Sequence, residues 1–262
     1  MGPFADPNGL IQIPQLQAAF EDRGELDRRD REVIKELGLK FRGRNAWPMF
    51  RSYRPSFVPW FLEAGEVRFL TVALEQLSDV APRFRDNPSL LEPSDDYLLR
   101  TARREGQTLV WEDATMGMPL DAPPIEVEVE ASKMEALARL PMRKAHLEVD
   151  FFMFPASVAD EGDRPYFPHM LMVVDAESGM ILGNELLAPF PTQEAMWGSV
   201  PQTLADRLSG MELLPQKISV DSDLLFPHLE PLAEVAGFEL ELAPSLPGLD
   251  AVREDLLDTF GG

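Results

Sequence analysis

The stretch His146-Leu-Glu-Val-Asp-Phe-Phe-Met-Phe154, read with Lys217-Ile-Ser-Val-Asp221, decides the fold. In the first, Leu147, Val149, Phe151 and Met153 fall on one face of a strand, and Glu148, Asp150 and Phe152 on the other. Both stretches run as β-type apolar sequence into an aspartate. Between them, Met170-Leu-Met-Val-Val-Asp175 and Met180-Ile-Leu-Gly183 flank the turn signal Ser178-Gly179 and predict a hairpin. After Asp221, Leu225, Leu229 and Leu232 share one helical face that stops at Gly237, and Pro227 and Pro231 are expected to bend it. From His146 to Phe260 the order predicted is strand, strand, strand, helix, strand, helix, strand, helix.

Composition bounds the rest. The chain has 262 residues, 45% hydrophobic and 26% charged, enough for more than one core. It has no cysteine and three histidines, which removes disulfides, thiol nucleophiles and cysteine-held zinc. No secretory leader and no apolar run of membrane-spanning length is recognisable, so a cytoplasmic, membrane-free protein is expected. Residues 111–262 hold only 8 of the 24 Lys and Arg but 28 of the 45 Asp and Glu, so this half carries nearly all of the net charge of −21. Such a surface repels polyanions, and nucleic acid is an unfavourable partner.

Work outward toward the N-terminus gives an α+β region. The first 25 residues read as a loose arm, followed by a charged helix over residues 25–39. Arg42 to Phe61 interleaves Trp47, Phe50, Tyr53, Phe57, Trp60 and Phe61 with Arg42, Arg44, Arg51 and Arg54. Such a segment can stack on nucleic acid or hold an anion. It reads better as the aromatic core of a small domain packed by the helix after Glu63, whose Val67, Leu70, Leu74 and Leu77 share a face. Residues 84–96 read as a connection to a short helix ending near Arg104, and Gln107 to Trp111 as a strand. Pro124-Ile-Glu-Val-Glu-Val-Glu130 alternates as a half-solvated strand, and a short helix with Met134, Leu137 and Leu140 ends at Pro141. The domains expected are an arm and charged helix over 1–40, an α+β domain over 41–141, and an α/β domain over 142–262 with a mixed five-stranded sheet flanked by helices.

From about Trp47 onward, including Phe50-Arg-Ser-Tyr-Arg-Pro55 and Pro165-Tyr-Phe-Pro168, the chain resembles an uncharacterised family of bacterial proteins known only as domains of unknown function. The segment order of the last third resembles the ribonuclease-H-like fold of integrase and transposase cores, and Met170–Gly183 is similar to their second-to-third strand hairpin. In enzymes of that fold two magnesium or manganese ions are clamped by carboxylates from the first and fourth strands and the last helix. The resemblance therefore implies Asp150, Asp221 and Glu254 as the catalytic carboxylates, with Glu194 the candidate from the first helix and Asp150 and Asp221 the metal ligands.

Helical geometry questions one of these. The last helix has its apolar stripe at Leu249, Val252, Leu256 and Phe260, and Glu254 lies roughly 140° away, whereas Asp250 flanks the stripe and is the better candidate. Asp221-Ser-Asp223 also has the composition of a helix cap. Glu148 and Asp150, on one strand face, repel unless a cation or water stands between them. No phosphate loop, nucleophile elbow, zinc-helix motif or dinucleotide fingerprint is present. Gly261-Gly262 reads as a frayed end. The expectation is a non-catalytic binding or assembly module on a degenerate ribonuclease-H-like framework, needing no cofactor and acting on an unidentified protein or small molecule. The alternative is a magnesium-dependent nuclease or phosphodiesterase using Asp150, Asp221 and either Glu254 or Asp250.

Overall fold

A computed structural model describes residues 14–91, 96–117, 125, 127, 129–159 and 163–260, with the backbone alone at residues 257, 258 and 260. The described residues fall into two units: one draws on Gln15–Ser52 and Trp60–Pro124, the other on Tyr53–Pro59 and Ile125–Gly262.

In the first unit, β1 (Gln15–Glu21) and β2 (Trp47–Tyr53) form a two-stranded sheet. The arm expected over the first 25 residues is therefore a strand from Gln15 on, and residues 1–13 lie outside the described ones. Helix α1 (Arg28–Glu36) starts at a capping box in which Asp27 and Asp30 each accept a backbone N–H of the other's turn. Helix α2 (Ala64–Asp86) continues past Pro82 and is followed by a 3-10 turn, Pro88–Leu91. The helix expected near Arg104 is instead β3 (Asp96–Glu105), paired antiparallel with β4 (Thr108–Gly117) across Gly106 at φ +63°. Its strand state depends on that cross-strand partner, a nonlocal contact to which local helix propensity is blind.

The aromatic segment also departs from expectation. None of Trp47, Phe50, Tyr53, Phe57, Trp60 and Phe61 is buried, and Phe50 is exposed. Arginines cover the rings instead. The guanidinium carbons of Arg29 and Arg51 lie 4.5 and 4.9 Å from the centre of Phe61, and Arg51 forms a bidentate pair with Asp30 at 2.9 and 2.6 Å. Leu70 of α2 is buried, but Val67, Leu74 and Leu77 are exposed rather than packed.

In the second unit, α3 (Ala131–Ala138) precedes β5 (Met142–Met153), β6 (His169–Asp175) and β7 (Ile181–Leu187). Then come α4 (Gln193–Gly198), α5 (Val200–Gly210), β8 (Leu214–Val220), α6 (Leu225–Ala236), β9 (Glu239–Leu242) and α7 (Pro247–Phe260). The sheet has the order β7-β6-β5-β8-β9, with β5, β6 and β7 antiparallel and β5, β8 and β9 parallel. The strand expected at Pro124–Glu130 is absent at its described positions Ile125, Val127 and Val129, while Pro124, Glu126 and Glu128 lie outside the described residues. Residues 92–95, in the expected connection, and Gly261-Gly262 lie outside them too.

The pleat sorts this sheet into two different faces. Leu147, Val149, Phe151, Leu171, Val173, Ile218 and Val220 meet Leu204, Leu208, Leu229 and Leu232 of α5 and α6, forming the main core. Each fully buried aliphatic side chain there contributes roughly 1.5–3 kcal/mol. On the opposite face, Met170, Met172 and Val174 meet Leu246 and Leu249, where α7 lies across the sheet. Strand β6 is thus buried on both faces, which explains its unbroken apolar run.

Two polar groups in these cores have specific roles. Glu148 is buried, and its Oε2 accepts the N–H of Leu249 at 2.8 Å, capping the first turn of α7. Gly248 makes this approach possible, because a Cβ there would lie 3.1 Å from Glu148 Oε2 and 3.3 Å from Val174 Cγ1. His169 is buried between Phe151 and Trp197, ring centres 5.2 and 6.4 Å away. Burial holds its pKa down at about 4. The antiparallel register sets His169 opposite Met153, at the far end of β5 from His146, so these two histidines do not meet.

Gly248→Ala is expected to push Glu148 off its cap and cost about 1–3 kcal/mol, read as a lower urea midpoint. His169 titrates above its native pKa in the unfolded chain, near 6.5, so the unfolded state binds the extra proton first. Stability should therefore fall as pH drops from about 6.5 toward about 4, and His169→Gln should flatten that decline in urea melts taken across the range.

Candidate functional site

Parallel pairing of β5 with β8 brings two aspartates to one end of the sheet. Asp150 lies on β5 with its side chain 4% exposed, and Asp221 follows the last residue of β8. Into the space between them α7 delivers Arg253. Its Nη2 donates to Asp150 Oδ2 and, at 3.4 Å, to Asp221 Oδ1. Its Nη1 donates to Asp221 Oδ2 at 3.3 Å and to Asp250 Oδ1 at 3.2 Å. The guanidinium carbon sits 5.5 Å from the centre of the Phe152 ring, so the cation also rests on an aromatic face. The Nε atom is buried without a partner among the described residues.

Electrostatics follow from burial. Desolvation pushes the Asp150 carboxyl above the usual carboxylate range, and the hydrogen bond and charge of Arg253 pull it only part of the way back. Desolvation also opposes the charge on Arg253, but the carboxylates of Asp150 and Asp221 outweigh it and hold the guanidinium above its ordinary value. A buried pair of this kind is a mutual dependence rather than a large net gain. Removing either partner leaves the other charge uncompensated.

The carboxylates singled out in the sequence separate here. Asp150, Asp221 and Asp250 converge on one guanidinium. Glu254 is exposed on α7, as the helical angle implies. Glu194 sits in the first turn of α4, whose Met196 and Trp197 pack into the main core on the other face of the sheet. Glu148 and Asp150 each have a partner of their own, one capping α7 and the other paired with Arg253. The cap of α6 comes from Ser222, whose Oγ accepts Leu225 N–H at 3.1 Å, and not from Asp221. Among the described residues no group of three or more His, Cys, Asp or Glu is placed to hold a metal ion.

Arg253 is the residue that reading for carboxylates overlooks. It was visible as the only basic residue between Pro247 and Phe260, about 40° from Leu249 on the packing side of the helix.

A second polar group continues along the same sheet face toward β9. His146 Nε2 lies 2.8 Å from Ser219 Oγ, Ser219 Oγ donates to Glu241 Oε2 at 2.9 Å, and Lys217 Nζ pairs with the same oxygen at 2.8 Å. Ser219 stands between the imidazole and the carboxylate. A serine nucleophile requires the imidazole in the middle, so this chain satisfies buried polar atoms and does not activate the hydroxyl.

A third feature is a cleft of about 620 Å³ bordered by Arg54, Phe57, Arg164, Phe190 and Gln193. Here the chain just after Pro55 meets Pro165–Pro168: Val58 N–H donates to Pro165 O at 3.0 Å and Phe167 N–H to Ser56 O at 2.7 Å. Ser56 is buried at φ +66°, a strained conformation held by these bonds and by Gln193 Nε2 on its hydroxyl at 3.1 Å. Phe57, Tyr166 and Phe190 form an edge-to-face trio beside it, with ring centres 5.1–6.2 Å apart.

Two family models cover most of the chain. Residues 5–100 match the one described as Domain of unknown function (DUF7309), and residues 133–257 the one described as Domain of unknown function (DUF6930). These matches agree with the resemblance to uncharacterised domains seen in the sequence. The chain matches no curated protein. No described helix is long and apolar enough to cross a membrane.

Arg253→Met is expected to lower stability at pH 7 by about 3 kcal/mol, since Asp150 then stays buried without a counter-charge. Its carboxyl pKa should rise further above the unfolded value, so the folded state keeps its proton longer than the unfolded state does. Relative to the parent chain, the variant should recover stability on acidification from pH 7 to pH 5, and Arg253→Met with Asp150→Asn should lose that recovery in paired urea melts.

Proposed function

We propose that the second unit is a ribonuclease-H-like framework that has exchanged its metal-ion site for an internal cation, and that the protein is a non-catalytic binding or assembly module. The observation that carries this reading is the guanidinium of Arg253 among Asp150, Asp221 and Asp250. The strand order β7-β6-β5-β8-β9, with the first and fourth strands of the unit parallel and adjacent, supports the framework. In a phosphoryl-transfer site of this type, carboxylates at these positions clamp ions that stabilise the attacking and leaving oxygens. Here the same carboxylates already spend their charge on a tethered arginine, which accepts no lone pair and cannot activate a water. The surplus of 20 acidic over basic residues in 111–262 further opposes a nucleic-acid substrate.

A binding role gives the cleft beside Phe57 and Phe190 as a place for a ligand on this unit. Its proline and aromatic walls, bordered by Arg54, Arg164, Asp163 and Glu194, suit a small molecule or peptide with both apolar and charged groups.

The full chain is expected to show no heat of Mg²⁺ or Mn²⁺ binding by calorimetry and no cleavage of DNA or RNA with either ion. The competing reading of a magnesium-dependent phosphodiesterase makes the opposite forecast. Metal-dependent cleavage that disappears in Asp150→Asn, with folding intact by circular dichroism, would establish it and remove ours.

A further inference from the structure

Helix α2 carries an apolar stripe that its own unit covers only at Leu70. Val67, Leu70, Leu74, Leu77, Ala81 and Phe84 recur at intervals of three and four, the a and d positions of three heptads. Taking Val67 as a, the positions that flank the seam between Val67 and Phe84 are Thr71, Ala73, Ser78 and Val80. No charge occupies an a, d, e or g position over this span. Arg68, Glu75, Asp79 and Arg83 all fall at b, c or f.

The unit's polar contacts are made at those outer positions, and its apolar ones at Leu70 in the seam and Val80 beside it, both buried. Gln76 and Asp79 meet Arg100, and Arg83 meets Asp113, so the β3–β4 hairpin lies against the side of α2 away from the seam. Most of the seam is left in solvent, with Val67 47%, Leu74 36%, Leu77 57% and Phe84 40% exposed, while Leu70 is covered by the chain itself at 9%. It runs roughly 26 Å along the helix. At Val67 it opens into an apolar groove of about 250 Å³ lined by Val33, Leu37, Leu39, Phe50 and Phe61, of which all but Phe61 are exposed. A continuous apolar surface of this length marks an interaction site rather than ordinary surface.

We propose that the occupant of this seam is the α2 helix of a second copy of the chain, packed antiparallel about a two-fold axis between Leu74 and Leu77. This goes beyond the reading of the acidic site and does not depend on it. A heptad seam is shaped for another helix, and a two-fold pair is the closed arrangement one patch makes with itself. The antiparallel register is set by size and by charge. It places Leu74 against Leu77 in the two central layers, the small Ala81 over the already covered Leu70, and Val67 against Phe84, so no layer sets two aromatic rings or two alanines together. The Phe84 of the second copy then reaches the mouth of the groove beside Val67. A parallel pair would stack Ala81 on Ala81 and Phe84 on Phe84, leaving a gap beside a clash. The first turn of α2 is acidic at Glu66 and the last carries the 78%-exposed Arg85, Arg83 being held by Asp79 and Asp113, so antiparallel ends attract and parallel ends repel.

The absence of cysteine gives a direct test on the full chain. Sedimentation equilibrium should show a mass rising with concentration toward twice 29.4 kDa, and Leu77→Glu should hold it at 29.4 kDa with an unchanged circular dichroism spectrum. Leu77 is exposed in the single chain, so this substitution spares the fold. Chains carrying Leu74→Cys and Leu77→Cys, mixed and oxidised, should cross-link to each other in large excess over either with itself. A parent chain at 29.4 kDa throughout, a dimer indifferent to Leu77→Glu, or self-links in excess over mixed links would each overturn the proposal.

Discussion

The pairing of Arg253 with the buried Asp150 is the constraint on which the candidate site depends. Asp150 is fixed by its strand, and its side chain is out of water, so its charge needs a partner that the fold itself supplies. Helix α7 supplies it, and the helix can do so because its other end is held. Glu148, two residues earlier on the same strand face, caps the first turn of α7, and Gly248 allows the contact. Leu249 and Leu246 then bury against Met170, Met172 and Val174. One strand face thus dictates the position of the last helix at two points, and the arginine arrives between the aspartates as a consequence.

Packing on the other face is indifferent to this chemistry. Leu147, Val149 and Phe151 alternate with the acids and are held under α5 and α6 by apolar burial alone. The sheet can therefore keep its register whatever polar residues stand at this end. Such a separation is what allows one framework to carry unrelated functions. Under the reading proposed here, three carboxylates at the metal-site positions keep their places and lose their ion.

How far this was legible in the sequence depends on how local each signal is. Strands β5, β6 and β8 announce themselves through alternation or an unbroken apolar run, and the turn at Ser178-Gly179 joins β6 to β7. Helical periodicity alone placed Glu254 toward solvent and Asp250 beside the stripe. Strand β3 was not legible, because Asp96–Glu105 owes its extended state to β4 across the hairpin. The aromatic run also misled: its Phe61 ring is capped by Arg29 and Arg51 and its Tyr53–Pro59 portion joins the second unit, neither of which a count of aromatics reveals. Arg253 escaped because a search for metal ligands looks for acids, and the deciding residue is the base that meets them.

The most direct measurement is a crystal structure of the full chain grown with manganese, read by anomalous scattering at the sheet end. The account predicts no anomalous peak between Asp150 and Asp221, with guanidinium density of Arg253 filling that space and its Nη atoms on the three aspartates. A manganese peak ligated by Asp150 and Asp221, with Arg253 swung clear of them, would contradict it.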